Sequence, residues 1–288
     1  MTDPEEDYNY EPFAKTPEYK RINRIMVKEG INTMVANGVE RVQGLLDIAT
    51  GVGTMVRLFL DEIPDRWDMP EIVCLDQSHR ALEQTKRKLK DRVTSIQLVH
   101  CAIEDLPDQS YDVDVTLWGN GIHYLNPENQ KDALLKINRI FDPEWLFFNT
   151  SFYSEARPEQ TLSFYRTQVR KAVRLLRSKD ITREKNADSP EAANFHSKEH
   201  YLELVEQAGF VLEDVSEFSA PLYQEAWEQI SSFTQYAKGA LHGYPEEDAK
   251  ESMKKAVNPA IEKHGQRDKE GKLYVPRRWL SVAARQGK

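Results

Sequence analysis

Short apolar segments that are typical of buried strands alternate with helical patterns through the middle of this chain. Five of them follow one another: GLLDI running into the turn ATGVGT, EIVCLD (71–76), SIQLVHCAI (95–103), YDVDVTLWG (111–119) and EWLFFNTSF (144–152). The helical patterns between them include MVRLFLDEI, HRALEQTKRKLKD and NPENQKDALLKINRIF. Because parallel strands need long crossover connections, this alternation predicts an α/β fold with a doubly wound, mostly parallel sheet. Two further strand patterns complete the predicted sheet to seven strands: FVLEDVSEF (210–218) and KLYVPRRWLSVAA (272–284).

Two helical stretches exceed what such a sheet needs. One is the amphipathic pattern at 158–178, and the other lies between the last two strands, where about fifty residues read as two helices, QEAWEQISSFTQYAKGAL and EEDAKESMKKAVNPAIEKH. Helices added in this way can form a cap over an open sheet and enclose a ligand. We therefore expect four parts: an N-terminal helical lid (1–40), a sheet core (41–152), a helical insertion (153–194) and the end of the sheet (195–288) with an inserted helical cap at about 222–270.

The charge balance disfavours nucleic acid and anionic membranes as partners. Lys and Arg number 39 against 47 Asp and Glu, which gives a net charge of −8, so either partner would need a basic patch that acts against the overall field. No stretch approaches 18 uninterrupted apolar residues, and the acidic start MTDPEEDYNY lacks the pattern of a signal peptide. Cys74 and Cys101 lie in apolar runs, as buried thiols in a reducing compartment do. We expect a cytoplasmic protein without a metal site.

The turn after the first strand is the expected place for a nucleotide-like cofactor. In open parallel sheets, ligands bind beyond the carboxyl ends of the strands, and Gly51 and Gly53 allow the backbone of this turn to approach one closely. Val56 stands where the dinucleotide fingerprint has its third glycine, which disfavours a nicotinamide-dependent dehydrogenase. Asp47 and Asp76 close the first two strands, where a carboxylate can meet a cation or accept hydrogen bonds from a ribose diol.

As a set, these segments resemble the class I S-adenosylmethionine-dependent methyltransferase family, whose fold is Rossmann-like. LLDIATGVGT is similar to the first motif of that family, LDQSHRALEQT to the second and VHCAIEDLP to the third, and LWGNGIHYL follows the fourth strand. KEHYLELVEQAGFVLEDV resembles the helix and strand that precede the final hairpin. The resemblance covers roughly residues 40–152 and 195–220, and it implies S-adenosyl-L-methionine as the cofactor.

The resemblance also implies which residues surround this cofactor, from its amino-acid end through the ribose and adenine to the methyl group. In that order they are Asp47, Ala49, Gly51 and Gly53; Asp76 and Gln77; Ile103 and Glu104; and Asn120 and Gly121. Two positions depart from the family pattern. Ala49 replaces the usual first glycine, and Ala102 stands where an acid often meets the adenine amino group, so Glu104 or backbone groups would substitute there.

Candidate catalytic residues follow the fourth strand. His123 in GNGIHYL is a candidate general base, because the ordinary pKa of histidine suits proton abstraction near neutral pH. The alternative is a structural histidine at a helix start. Tyr124 is a second candidate beside it. Tyr153 and His196 flank the insertion and are either substrate contacts or half-buried packing residues.

The N-terminal aromatic residues Tyr10, Phe13 and Tyr19 have two interpretations. They belong either to a lid that closes over the cofactor or to a hydrophobic anchor of the first helix. Of the three, we expect Tyr19 at the cofactor.

One stretch has a local charge opposite to that of the chain. Residues 163–185 hold eight basic and two acidic side chains, so 8 − 2 gives +6. Such a stretch is either a solvated helix face or a site for an anionic or carrier-bound acceptor.

The function predicted from the sequence is methyl transfer to an oxygen or carbon atom of a hydrophobic small molecule, a natural product. A general base would be useful yet dispensable for this reaction, because the cofactor already carries an activated methyl group. The alternative is a protein that binds S-adenosylmethionine without methyl transfer, in a cyclase-like or regulatory role. The oligomeric state is left open.

Overall fold

The computed structural model describes residues 10–106, 111–187, 190–191 and 194–287. Its centre is one mixed sheet of seven long or medium strands in the order β3-β2-β1-β4-β5-β8-β6, and the two-residue strand β7 pairs with β8. The strands are β1 (Gly44–Ile48), β2 (Glu71–Asp76), β3 (Ile96–His100), β4 (Val115–Gly119), β5 (Trp145–Thr150), β6 (Phe210–Tyr223), β7 (Gln266–Arg267) and β8 (Leu273–Gln286). The predicted α/β fold with a mostly parallel Rossmann-like sheet is confirmed.

The first five strands are parallel, and β8 runs antiparallel to both β5 and β6. All five residues of β1 are buried, as expected of a central strand that helices cover on both faces. The strand order reverses between β1 and β4. This reversal is the switch point at which doubly wound sheets bind ligands.

Eleven α-helices and three short 3₁₀ segments are assigned in the described part of the chain. The α-helices are α1 (Glu11–Ala14), α2 (Pro17–Ala36), α3 (Thr54–Glu62), α4 (His79–Leu89), α5 (Pro127–Phe141), α6 (Glu159–Ser178), α7 (Lys198–Gln207), α8 (Gln224–Ser231), α9 (Thr234–Ala240), α10 (Glu246–Lys255) and α11 (Val257–His264). The 3₁₀ segments are Ile103–Asp105, Ile122–Tyr124 and Ser154–Ala156. No helix among the residues described is long and apolar enough to cross a membrane.

The insertion and the cap pack together as one helical layer. Ala172 and Leu176 of α6 share a buried cluster with Ala249 and Met253 of α10. The cap contains four helices, α8 to α11, where the sequence predicted two. Short breaks at Ser232–Phe233, at 241–245 and at Ala256 divide it, and they let successive segments turn their apolar faces toward α6 and the sheet.

The N-terminal segment packs under this cap. Phe13 and Tyr19 are each 4% exposed and share a cluster with Trp227 and Ile230 of α8. Aromatic packing therefore anchors the described part of this segment, and its role as a lid over the cofactor stays a prediction. Residues 1–9 of the predicted lid lie outside the described residues.

Candidate cofactor edge and aromatic cavity

The carboxyl ends of β1, β2 and β4 form what we call the cofactor edge, with Asp47, Asp76 and Asn120 at its centre. In register, Asp47 pairs with Cys74 on β2 and with Leu117 on β4. Residues that follow these three strands are therefore neighbours in space although they are up to 75 positions apart in the chain. This grouping is the one that the sequence motifs predict.

Asp47 is 1% exposed, and its carboxylate accepts a hydrogen bond of 2.6 Å from the Thr50 hydroxyl. Burial raises its pKa to about 7, with a smaller contribution from the negative charge of Asp76. Asp76 accepts hydrogen bonds from the Gly51 and Ser78 amides at 2.8 and 2.9 Å. Burial also raises the pKa of Asp76. The edge thus holds two carboxylates that have lost most of their water.

The turn after β1 follows a left-handed path in three places. The φ angles of Ala49, Gly51 and Gly53 are +52°, +56° and +71°. Such values suit glycine and strain alanine, so Ala49 adopts the conformation that the glycine of the family motif would adopt freely. The turn is fixed from β2 by Asp76, as above, and from α4 by Thr85, whose hydroxyl donates 2.9 Å to the Gly51 carbonyl.

The segment after β4 lies directly against this turn. A Cβ atom on Gly121 would lie 2.9 Å from the Ala49 Cβ atom and 2.6 Å from the Trp118 Nε1 atom, so only glycine fits. Asn120 has a φ of +52°. Its side chain donates to Asn149 Oδ1 at 2.9 Å and accepts from the Ser151 amide at 3.1 Å. The close approach fixes Asn120 at the switch point between β1 and β4.

The donor set of this edge fits a cationic nucleoside ligand. Within the described residues, Asp47 and Asp76 form no ion pair with Lys or Arg, and His100, the register partner of Asp76 on β3, acts to lower the pKa of Asp76. S-adenosylmethionine carries an ammonium and a sulfonium that would offset this buried negative charge, and each Asp76 oxygen keeps a lone pair after its backbone hydrogen bond. No group of His, Cys, Asp and Glu able to hold a metal occurs among the residues searched.

The remaining predicted cofactor residues border the same edge. Gln77 is exposed at the end of β2, and its carbonyl lies 3.0 Å from the His100 Nε2 atom. Ile103 is 6% exposed, and the carbonyl of exposed Glu104 accepts 2.6 Å from the Lys136 ammonium. Tyr19 on α2 lines the same cavity as Asn120, and burial raises the pKa of Tyr19.

A cavity with a volume of about 70 Å³ adjoins the cofactor edge beneath the cap; we call it the aromatic cavity. Tyr19 and Asn120 line its edge side, and Trp227, Phe233 and Trp279 are among the aromatic side chains that form its walls. Tyr10 packs edge-on to Phe233, at 5.0 Å between ring centroids, and so closes one side. The cavity holds several water-sized volumes and is mostly apolar, which suits part of a small organic molecule.

His123 and Tyr124 also line this cavity. The His123 ring is 2% exposed, stacks on Phe152 at 3.7 Å between centroids, and has no hydrogen-bond partner on either nitrogen. Burial, with a contribution from the positive charge of Arg277, lowers its pKa to about 3. Tyr124 is 39% exposed, and burial of its hydroxyl raises its pKa. His123 is therefore neutral near pH 7 and a weak base.

Two cavity residues, Arg157 and Arg277, were missed by sequence reasoning. Arg277 is 6% exposed, donates 2.6 Å to the Ser151 carbonyl, and has its pKa lowered to about 10 by burial. The Arg157 Cζ atom lies 3.4 Å from the centroid of the Phe195 ring, and the Arg157 Nε atom is buried without a partner. The one available signal is a charged residue inside the apolar pattern VPRRWL of β8.

Tyr153 and His196, the predicted substrate contacts, do not line the cavity. Tyr153 is fully buried, and its hydroxyl donates 2.8 Å to Glu217. His196 forms a bridge with Tyr153 and stacks on His200 at 4.3 Å. Their preceding neighbours Phe152 and Phe195 face the cavity instead, because successive side chains of extended backbone point to opposite sides. The geometry thus favours the packing interpretation for both residues.

The arginines of the basic stretch 163–185 lie mainly on the outer face of α6. Arg166, Arg170, Arg174 and Arg177 are all exposed, and none of them lines the aromatic cavity. This position supports the solvated-face interpretation.

Comparisons with known proteins agree with this site. A family model described as "Methyltransferase domain" matches residues 45–144, which contain the cofactor edge. A search of curated proteins found no match. The fold resembles the YcgJ protein of Bacillus subtilis, at 12% identity and a TM-score of 0.55, over 90% of this chain and 99% of that one.

Two further structures with this fold are enzymes of other kinds. The [4+2]-cyclase SpnF matches at 13% identity and a TM-score of 0.53, over 93% of this chain and 82% of its own. The cyclopropane synthase MmaA2 of Mycobacterium tuberculosis matches at 14% identity and a TM-score of 0.51, over 89% of this chain and 82% of its own. Identities this low support the fold alone. The family model identifies residues 45–144 as a methyltransferase domain, and the donor set of the cofactor edge fits S-adenosylmethionine as its cofactor.

Proposed function

We propose that this enzyme methylates an oxygen or carbon atom of a hydrophobic small molecule, a natural product, that binds in the aromatic cavity. The observation that carries the proposal is the position of the cavity, because Tyr19 and Asn120 line it and also belong to the cofactor edge. Aromatic walls supply large apolar contact area, as small-molecule sites do. The acceptor would therefore meet the methyl donor at the junction of edge and cavity.

When bound, S-adenosylmethionine supplies a methyl group already activated on a sulfonium. In our proposal, Asp47 faces the ammonium at the amino-acid end, where the Ala49–Gly53 turn follows the ligand. Asp76 accepts hydrogen bonds from the ribose hydroxyls beside Gln77, and Ile103 and Glu104 border the adenine. Asn120 and Gly121 support the reacting end.

The protein contribution to the reaction is mainly alignment. Holding two reactants in line can supply about 7–11 kcal/mol of the barrier. Neutral His123 has both ring nitrogens free of hydrogen bonds, so it can accept a hydrogen bond from a hydroxyl or an acidic C–H group of the acceptor. Tyr124 stands beside it, with 4.2 Å between ring centroids, and helps to orient the acceptor.

Filling the cavity tests this assignment of the acceptor site. Gly239 lines the cavity, and a Cβ atom built on it meets no atom within 4 Å, so Gly239→Phe places a ring in the free space. With methyl-labelled S-adenosylmethionine and a pool of hydroxylated aromatic compounds, we expect labelled product from the parent and from Gly239→Ala, and at least a tenfold loss in Gly239→Phe. Binding of S-adenosylhomocysteine should stay within about twofold. Equal product from Gly239→Phe would contradict the proposal.

A protein that binds S-adenosylmethionine without methyl transfer is the second candidate function. The low basicity of His123 favours it, since a weak base gives little help to a proton-losing acceptor. Tight cofactor binding with no S-adenosylhomocysteine formed across acceptor pools would support this alternative. The cytoplasmic location expected from the sequence stays a prediction.

A further inference from the structure

Among the residues that the structure describes, two guanidinium groups and no carboxylate line the aromatic cavity. The described lining includes Arg157 and Arg277 but no Asp, Glu or Lys. Neither arginine forms an ion pair within the described residues. Arg277 is buried and Arg157 is partly buried, and burial is the main cause of the lowered pKa of each. The positive charge of Arg157 also lowers the pKa of Arg277. An unpaired buried charge is costly, so its presence in an enclosed cavity points to a ligand of opposite charge.

Aromatic faces hold the two guanidinium groups in position. The Arg157 and Arg277 Cζ atoms lie 3.4 and 5.7 Å from the centroid of Phe195, and Arg277 also lies 5.4 Å from Phe152. Stacking fixes the planes of the guanidinium groups and leaves their N–H edges available. The buried Arg157 Nε atom has no acceptor. Such a planar, preorganised pair of donors matches the geometry of a carboxylate.

Hydrogen bonds connect this cationic pair to the cofactor edge. Arg277 donates to the Ser151 carbonyl, and the Ser151 amide donates to Asn120 Oδ1. The guanidinium of Arg277 is thus separated from the cofactor-edge asparagine by a single residue. His123, whose pKa Arg277 helps to lower, lines the same cavity. A ligand anion at Arg277 would therefore orient the rest of the acceptor toward His123 and Asn120.

We propose that the acceptor is a hydrophobic or aromatic carboxylic acid whose carboxylate binds Arg157 and Arg277 against the Phe195 ring. This inference rests on the proposed function for the identity of the ligand as the acceptor, while the anion site itself does not. A carboxylate fits better than a phosphate, because the cavity is small and apolar and adds no lysine to the two arginines. The anion supplies the counter-charge that the described residues lack.

Calorimetry with matched acids and amides tests the proposal without turnover. The probes are benzoate, 4-hydroxybenzoate and 3-phenylpropionate, each compared with its primary amide, titrated into full-length protein saturated with S-adenosylhomocysteine. We expect at least one acid to bind about tenfold or more tightly than its amide. Arg157→Gln and Arg277→Gln should each remove most of that preference. Arg278→Gln is the matched control, because Arg278 is adjacent in sequence and exposed.

Arg157→Met provides a second readout that does not depend on the choice of probe. It removes the desolvated charge and keeps the apolar stem, so the melting temperature without ligand should stay equal or rise. A clear fall would show that the guanidinium stabilises the fold, and it would overturn the proposal. Equal binding of acids and amides, no binding of any acid, or tighter binding of phenyl phosphate than of benzoate would also overturn it.

Failure of this proposal can be separated from failure of the proposed function. Acid binding that depends on both arginines, without any methylated product, would leave the anion site intact and reject methyl transfer. Methylated product that forms equally well in Arg157→Gln and Arg277→Gln would keep methyl transfer and reject the carboxylate site.

Discussion

The cofactor edge and the aromatic cavity are neighbours that contain uncompensated charges of opposite sign. The edge buries the carboxylates of Asp47 and Asp76 with no Lys or Arg partner among the described residues. The cavity holds the buried guanidinium group of Arg277 and the partly buried one of Arg157 with no anionic partner in that same part of the chain. In our proposals, a ligand completes each region: a cation at the edge and an anion in the cavity.

The largest expected effect comes from removing the edge carboxylate that fixes the turn. Asp76→Ala loses the hydrogen bonds from the Gly51 and Ser78 amides as well as the proposed ribose contacts. Two or more charge-assisted hydrogen bonds correspond to about 3 kcal/mol, or roughly a hundredfold weaker binding of S-adenosylhomocysteine by calorimetry. The Arg157→Gln variant, altered only in the cavity, should bind S-adenosylhomocysteine normally. Retained affinity in folded Asp76→Ala protein would reject the ribose assignment.

The second prediction concerns turnover at the junction of the two regions. His123→Ala removes the unpartnered imidazole from the cavity wall, and we expect methyl transfer to fall about tenfold to a hundredfold if His123 receives a proton or a hydrogen bond from the acceptor. This loss lies at or below the usual range for a general base because the pKa of His123 is only about 3. Affinity for S-adenosylhomocysteine should change by less than about twofold. Unchanged turnover would make His123 a packing residue on Phe152.

The same contrast explains what the sequence predicts and what it does not. The edge is encoded locally, since DIATGVGT follows one strand and Asp76 closes the next, so a regular parallel sheet brings them together. The strands, their order of appearance and the cofactor could therefore be predicted. The cavity joins residues from the third 3₁₀ segment, the start of the post-insertion segment and β8, whose spacing carries no pattern. Arg157, Phe195 and Arg277 meet only through tertiary packing.

Local conformation also decides which side chains face the cavity. Tyr153 and His196 were expected at the substrate because aromatic and imidazole groups flanked the insertion. Each lies one residue after the side chain that faces the cavity, Phe152 and Phe195. That side chains alternate between two faces of an extended segment can be predicted. Which of them face the cavity depends on the isolated bridge between Tyr153 and His196, which sequence alone does not reveal.

The third prediction tests the charge of the edge through pH. Asp47 has a pKa of about 7 in the folded protein and about 4 in an unfolded chain. The folded state therefore binds the extra proton, and this group makes the unliganded protein less stable as pH rises from about 4 to 7. The ammonium group of S-adenosylhomocysteine favours the ionised form of Asp47, so this ligand should bind about tenfold more weakly at pH 6 than at pH 8.

Asp47→Asn is the control for this pH dependence. This substitution should remove the pH dependence of both the stability and the affinity for S-adenosylhomocysteine. Because it also removes the cost of burying an ionised carboxylate, the unliganded variant should be more stable than the parent by about 1–2 kcal/mol at pH 8. Chemical denaturation at several pH values and calorimetry check the two effects. Parallel profiles for the parent and the variant would assign the pH dependence to another group.

The smallest expected effect separates backbone strain from charge at the cofactor edge. Ala49 has a φ of +52°, and a left-handed alanine costs about 1–2 kcal/mol. Ala49→Gly removes this strain, but the larger entropy of glycine in the unfolded chain offsets part of the gain in the free energy of unfolding. We therefore expect denaturation to show a net stabilisation of about 0.5 kcal/mol. Cofactor affinity should stay within about twofold, because the charges do not change. A substantial loss of affinity would mean that the strained alanine preorganises the turn, and that the edge depends on backbone geometry as much as on its carboxylates.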